Sequence, residues 1–77
     1  MFMQEMKIQS QHLNGGTDRH GQRVYVVELE GNVLLSLEES FLLNNSDSFI
    51  TGSDNKRYEM HIQNHKVTKV LQQNSIY

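Results

Sequence analysis

The sequence predicts a mainly β protein, small α+β as the variant: an antiparallel sheet or small barrel of about five strands with one short helix. Three observations carry this. Segments such as Arg57 to Gln63 alternate apolar and polar residues with period two. Turn signals rich in Gly, Asn, Asp and Ser recur between them. Alanine, the best helix former, is absent from all 77 residues.

Met6 to His12 opens the chain as a half-buried strand, with Met6, Ile8 and Ser10 on one face. Leu13 to Gly21 reads as a loop, because it holds Gly15, Gly16 and Gly21 with Asn14 and Asp18. Arg23 to Glu30 is β-branched and aromatic, apolar on both faces at its start, so it reads as a central strand. Gly31-Asn32 is a two-residue turn signal. Val33 to Leu35 is then a short strand. Leu37 to Leu43 is expected as a helix, with Ser36 and Glu39 forming a capping box. Asn44 to Ser48 is a loop, Ser48 to Thr51 a strand, and Gly52 to Lys56 a hairpin connection. Arg57 to Gln63 and Val67 to Leu71 are the last strands, and the tail 72–77 frays or lies along an edge.

Asn64-His65 fits a two-residue type I′ turn between those strands. Pairing Ile62 with Val67 and Tyr58 with Leu71 then sorts the residues by face. Tyr58, Met60, Ile62, Val67 and Leu71 turn inward, and Glu59, His61, Gln63, Lys66 and Thr68 turn outward. Lys69 and Val70 are the two exceptions. In this register His65 projects from the tip and His61 lies on the polar face, so the two do not converge on one ion. No metal site and no cofactor is expected from these residues. A ligand or metal site at His12, His20, His61 and His65 is a third functional reading.

Length and composition bound the function. The chain makes one small domain, 1–77, with 36% hydrophobic residues and no cysteine, so neither a disulfide nor a thiolate is available. Mean hydropathy is −0.60. Small scaffolds without such staples often self-associate, so a homodimer is expected. No apolar run approaches the length of a membrane span and no signal peptide is visible, so no membrane contact and a cytoplasmic location are expected. The absence of Ala and Pro fits an AT-rich genome, and with it a phage or mobile-element origin. Serine lacks a nucleophile-elbow context, Glu38 and Glu39 point to different sides, and so small a fold has little room for a pocket of about 300 Å³, so an enzyme is not expected.

Charge is segregated. Residues 24–55 hold six acidic residues and no Lys or Arg, while residues 56–77 hold Lys56, Arg57, Lys66 and Lys69 against Glu59. The leading expectation is a non-catalytic protein-binding module, a small regulator or inhibitor. Glu28, Glu30, Glu38, Glu39 and Asp47 are its acidic contact candidates. The alternative is a small nucleic-acid-binding β domain using the basic hairpin residues Arg57, His61, Lys66 and Lys69. Asp18, Arg19 and His20, in a loop longer than most hairpin loops, are candidates for a contact at its tip.

Overall fold

The computed structural model describes residues 2–44 and 46–74. It is mainly β, with seven strand segments: β1 (Phe2–Met6), β2 (Ile8–Thr17), β3 (Arg23–Leu29), β4 (Val33–Glu38), β5 (Asp47–Thr51), β6 (Arg57–Gln63) and β7 (Lys66–Asn74). They form two antiparallel sheets, one of order β1-β7-β6-β5 and one of order β2-β3-β4. β1 and β2 are separated only by Lys7, so one bent ribbon serves both sheets. The bend is braced by Glu30: its N–H donates to the Lys7 carbonyl at 3.0 Å, and the Lys7 N–H donates to its Oε2 at 3.0 Å. The result is a rolled sheet that stops short of a closed barrel, because β4 and β5 are not paired with each other.

Both sheets feed one core. Val27, Leu29, Leu35 and Leu37 come from the three-stranded sheet. Tyr58, Met60, Ile62, Val67 and Val70 come from the four-stranded one, and Leu42 joins them from the 3-10 helix Glu39–Leu43. β3, β4 and β6 contribute every second residue, as period-two alternation requires, while β7 contributes Val67 and Val70, three apart.

The β6–β7 hairpin forms around Asn64 and His65, whose φ angles of 54° and 63° are those of a type I′ turn. Its expected register holds for Gln63↔Lys66 and Ile62↔Val67, then shifts: His61 faces Lys69, Met60 faces Val70 and Tyr58 faces Gln72. Thr68 is the extra residue, a β-bulge whose hydroxyl donates to the His61 carbonyl at 3.2 Å. That one residue removes both earlier exceptions. It turns Lys69 outward and buries Val70 completely.

Four further expectations need correction. The segment Leu13 to Thr17 is strand rather than loop, because hairpin pairing carries β2 on to Thr17↔Arg23 across an irregularity. Strand β4 runs on to Glu38, held by six paired positions with β3. The expected helix is consequently a 3-10 segment, Glu39–Leu43, with no side-chain cap, so the Ser36–Glu39 capping box does not form; a second 3-10 segment spans Glu30–Asn32. Gln72 is buried and paired in β7, so the frayed tail is shorter than expected, and residues 75–77 lie outside those described.

Tyr58 is wholly buried and anchors the Gly52–Lys56 turn. Its hydroxyl donates to Asp54 Oδ2 at 2.6 Å and accepts from Gln72 Nε2 at 3.2 Å. Burial, then the bond to Asp54 and its negative charge, push the phenol up to about 12, against a small opposing effect of Gln72. At Asp54 the raising effect of burial is outweighed by hydrogen bonds from Tyr58 and backbone N–H groups, which hold its carboxyl below the usual range. An unfolded tyrosine titrates near pH 10. The folded chain therefore holds the Tyr58 proton more tightly than the unfolded chain. The stability this contributes is complete below about pH 10 and is lost as pH rises toward about 12. Urea midpoints measured across that window should fall in the native chain, and fall less steeply in Tyr58→Phe. Tyr25, also raised by burial, supplies the slope that persists.

Candidate functional site

The open side of the rolled sheet is concave. The unpaired edges of β4 and β5 flank a cleft of about 400 Å³, lined by Ser36 and Leu37 of β4, Phe41 of the 3-10 helix, Asp47 to Ile50 of β5, and Met60. That is more concave space than the length of the chain suggests. Its ends are fixed. At one, the Ser53 N–H donates to the Leu34 carbonyl and the Leu34 N–H to Ser53 Oγ, both at 2.9 Å. At the other, the 3-10 helix connects the two edges.

Local sequence explains the lining. Alternation in β5 turns Ser48 and Ile50 inward and Asp47, Phe49 and Thr51 outward. Phe49 is 53% exposed and Phe41 is 46% exposed. Two large aromatics left half in water beside unpaired strand edges need a reason, since such side chains ordinarily supply buried area. Phe49 is held in place by Arg57, whose guanidinium carbon lies 5.2 Å from the ring centroid, a cation–π contact.

Asp47 also belongs to the outer face of the four-stranded sheet, directly across from His61. His61 Nε2 lies 2.6 Å from Glu59 Oε2, and its Nδ1 lies 3.9 Å from Asp47 Oδ1. These three residues bring their ligand atoms within 4.8 Å of one another.

The sequence-derived candidates fall in several places. Of the acidic set, Glu28 and Glu38 lie on the outer face of the three-stranded sheet, across from Leu34 and Val24. Glu30 braces Lys7, and Glu39 approaches Arg23 at 3.9 Å. Asp47 alone lines the cleft. The five do not form one patch. The basic candidates Arg57, His61, Lys66 and Lys69 do share the outer face of β6 and β7, interleaved with Glu59. Asp18 turns back on its own loop, where Oδ1 accepts from the N–H groups of His20 and Gln22 at 2.8 and 3.0 Å. The Gln22 bond, then burial acting against it, then the His20 bond and its neighbours leave that carboxyl below the usual range. Arg19 and His20 stay exposed at the tip. His65 sits at its hairpin tip as expected, and its Nδ1–H donates to the Leu42 carbonyl at 3.0 Å.

Leu37, Phe41, Ser48, Phe49 and Ile50 are the residues that sequence reasoning did not single out. Their signal was present as two aromatics, Phe41 and Phe49, flanking the polar run Asn44 to Ser48. What brings them together is the return of the chain through the 3-10 helix.

The geometry defines a small rolled-sheet β protein with an apolar cleft at an open seam. No protein-family model matches the chain, and no curated protein or solved structure is similar to it. No helix among the described residues is long and apolar enough to cross a membrane.

Proposed function

We propose that the protein is a non-catalytic protein-binding module, a small regulator or inhibitor that takes an extended segment of a partner protein along the β5 edge. The observation that carries this reading is the unpaired outer edge of β5 beside a cleft with two half-exposed phenylalanines. An edge strand offers a row of free backbone N–H and C=O groups. An extended peptide satisfies them by adding a strand, and alternate side chains then fall into adjacent pockets. Phe41, Phe49 and Leu37 supply such a pocket, and Asp47 and Ser48 supply its polar margin.

The test is selection from a random peptide library, followed by affinity measurement and amide exchange. Selected peptides should slow exchange along β5 and lose about 30-fold in affinity on Phe49→Ser, the cost of about 2 kcal/mol for an aromatic anchor. Phe49 is exposed, so this variant should fold. Peptides that bind undiminished to Phe49→Ser would count against the reading. So would tight, steeply salt-dependent binding of oligonucleotides that is lost on replacing Arg57, Lys66 and Lys69, the behaviour of a nucleic-acid-binding domain.

A further inference from the structure

The outer face of the four-stranded sheet carries a feature the cleft does not explain. His61 sits between two carboxylates on a rigid surface, Glu59 two residues away on the same strand and Asp47 across the β5–β6 pairing. A carboxylate only accepts hydrogen bonds, so the 2.6 Å contact to Glu59 places a proton on Nε2. The other ring nitrogen, Nδ1, lies 3.9 Å from Asp47 Oδ1. Among the described residues, neither carboxylate has a lysine or arginine nitrogen within ion-pair distance. Lys69, across from His61 on β7, lies on the opposite side of β6 from Asp47.

We propose that His61 Nδ1 and the Asp47 carboxylate hold a divalent transition-metal ion of the zinc class, with Glu59 as the positioning residue for the imidazole. Bond lengths of about 2.0–2.2 Å to nitrogen and oxygen span about 3.4 Å at a tetrahedral angle and about 4.2 Å when linear, and the observed gap lies within that range. The Glu59 distance is too short for an ion to sit between, which assigns that carboxylate to Nε2–H instead. A carboxylate on the far nitrogen of a ligating histidine fixes its tautomer and raises its basicity. An imidazole donor selects zinc, nickel, copper or cobalt over magnesium and calcium. The seat faces solvent, with Asp47 62% exposed, so water or a partner's side chain completes the coordination. This inference is independent of the peptide-binding reading.

The experiment is titration of the intact chain with zinc, followed through the ring resonances of all four histidines and the melting temperature. Zinc should shift the His61 ring ahead of His12, His20 and His65, and should raise the melting temperature. Asp47→Asn, at an exposed position, and His61→Asn should each abolish the His61-site response. Glu59→Gln should weaken it about 10–100-fold, and His65→Asn should leave it unchanged. A His61 ring unmoved by excess zinc would overturn the proposal. Zinc affinity undiminished in Asp47→Asn would overturn it equally.

Discussion

Replacing Gln11 by leucine should lower the melting temperature by about 12–24 °C, the equivalent of about 3 kcal/mol for a chain of this size. Gln11 lies on β2, and its side-chain amide does for β7 what a neighbouring strand would do. Nε2 donates to the Val67 carbonyl at 2.7 Å, and Oε1 accepts from the Val67 N–H at 2.9 Å. Oε1 also accepts from the Tyr25 hydroxyl at 2.8 Å. Both backbone groups of a fully buried residue, and the polar end of a half-buried tyrosine, thus depend on one amide. Leucine matches the bulk and supplies none of the bonds. Each polar group left without a partner costs about 1–3 kcal/mol, less where water reaches it. Hydrogen exchange at Val67 should accelerate along with the loss of stability. A melting temperature within about 3 °C of the native value would show that the two sheets hold together without this bridge.

Gly52→Ala should destabilise by about 2 kcal/mol, although glycine-to-alanine changes in turns more often stabilise by reducing the freedom of the unfolded chain. An added Cβ would stand 2.7 Å from Tyr58 Cε1 and 2.9 Å from Asp54 Oδ1. Neither neighbour is free to yield. The Tyr58 ring is enclosed, and its hydroxyl is tied to Asp54 and Gln72. The Gly52 backbone is fixed too, its N–H donating to the Lys56 carbonyl at 2.9 Å. The control is the same change in a Tyr58→Leu background, which removes the ring. There most of the penalty should disappear, a coupling that urea titration of the four chains would measure. An equal penalty in both backgrounds would place its cause in the backbone rather than in the ring.

The parts of the fold legible in the sequence are those governed by neighbours along the chain. Strict alternation from Arg57 to Gln63 and the Asn64-His65 turn specify a hairpin and its face. The expected register failed beyond Ile62, where the bulge at Thr68 puts Gln72 rather than Leu71 opposite Tyr58; the misfit of Lys69 and Val70 was its trace in the sequence. Local signals lost where pairing outweighed them. Ser36 and Glu39 carry a helix-start pattern, but six paired positions with β3 keep the chain extended to Glu38. Glycines 15 and 16 mark a loop, yet β2 continues through them to pair Thr17 with Arg23. The candidate site was the least legible part. Asp47 meets His61 only through β5–β6 pairing, and Phe41 meets Phe49 only because the 3-10 helix turns the chain back. Gln11 and Val67 are 56 residues apart, and no periodicity announces a contact of that range.

The bend at Lys7 also has a mechanical meaning. One unbroken ribbon runs along the back of the molecule, and two free edges meet at its front, which is the construction of a spring clip. Widening the gap between β4 and β5 must flex the ribbon where Glu30 clamps it, and must strain the Leu34–Ser53 pin. Compliance is therefore concentrated in the one opening that a guest strand would enter. On the proposed reading, a guest strand seated there would be held both by the phenylalanines at the front and by the resistance of the back to bending.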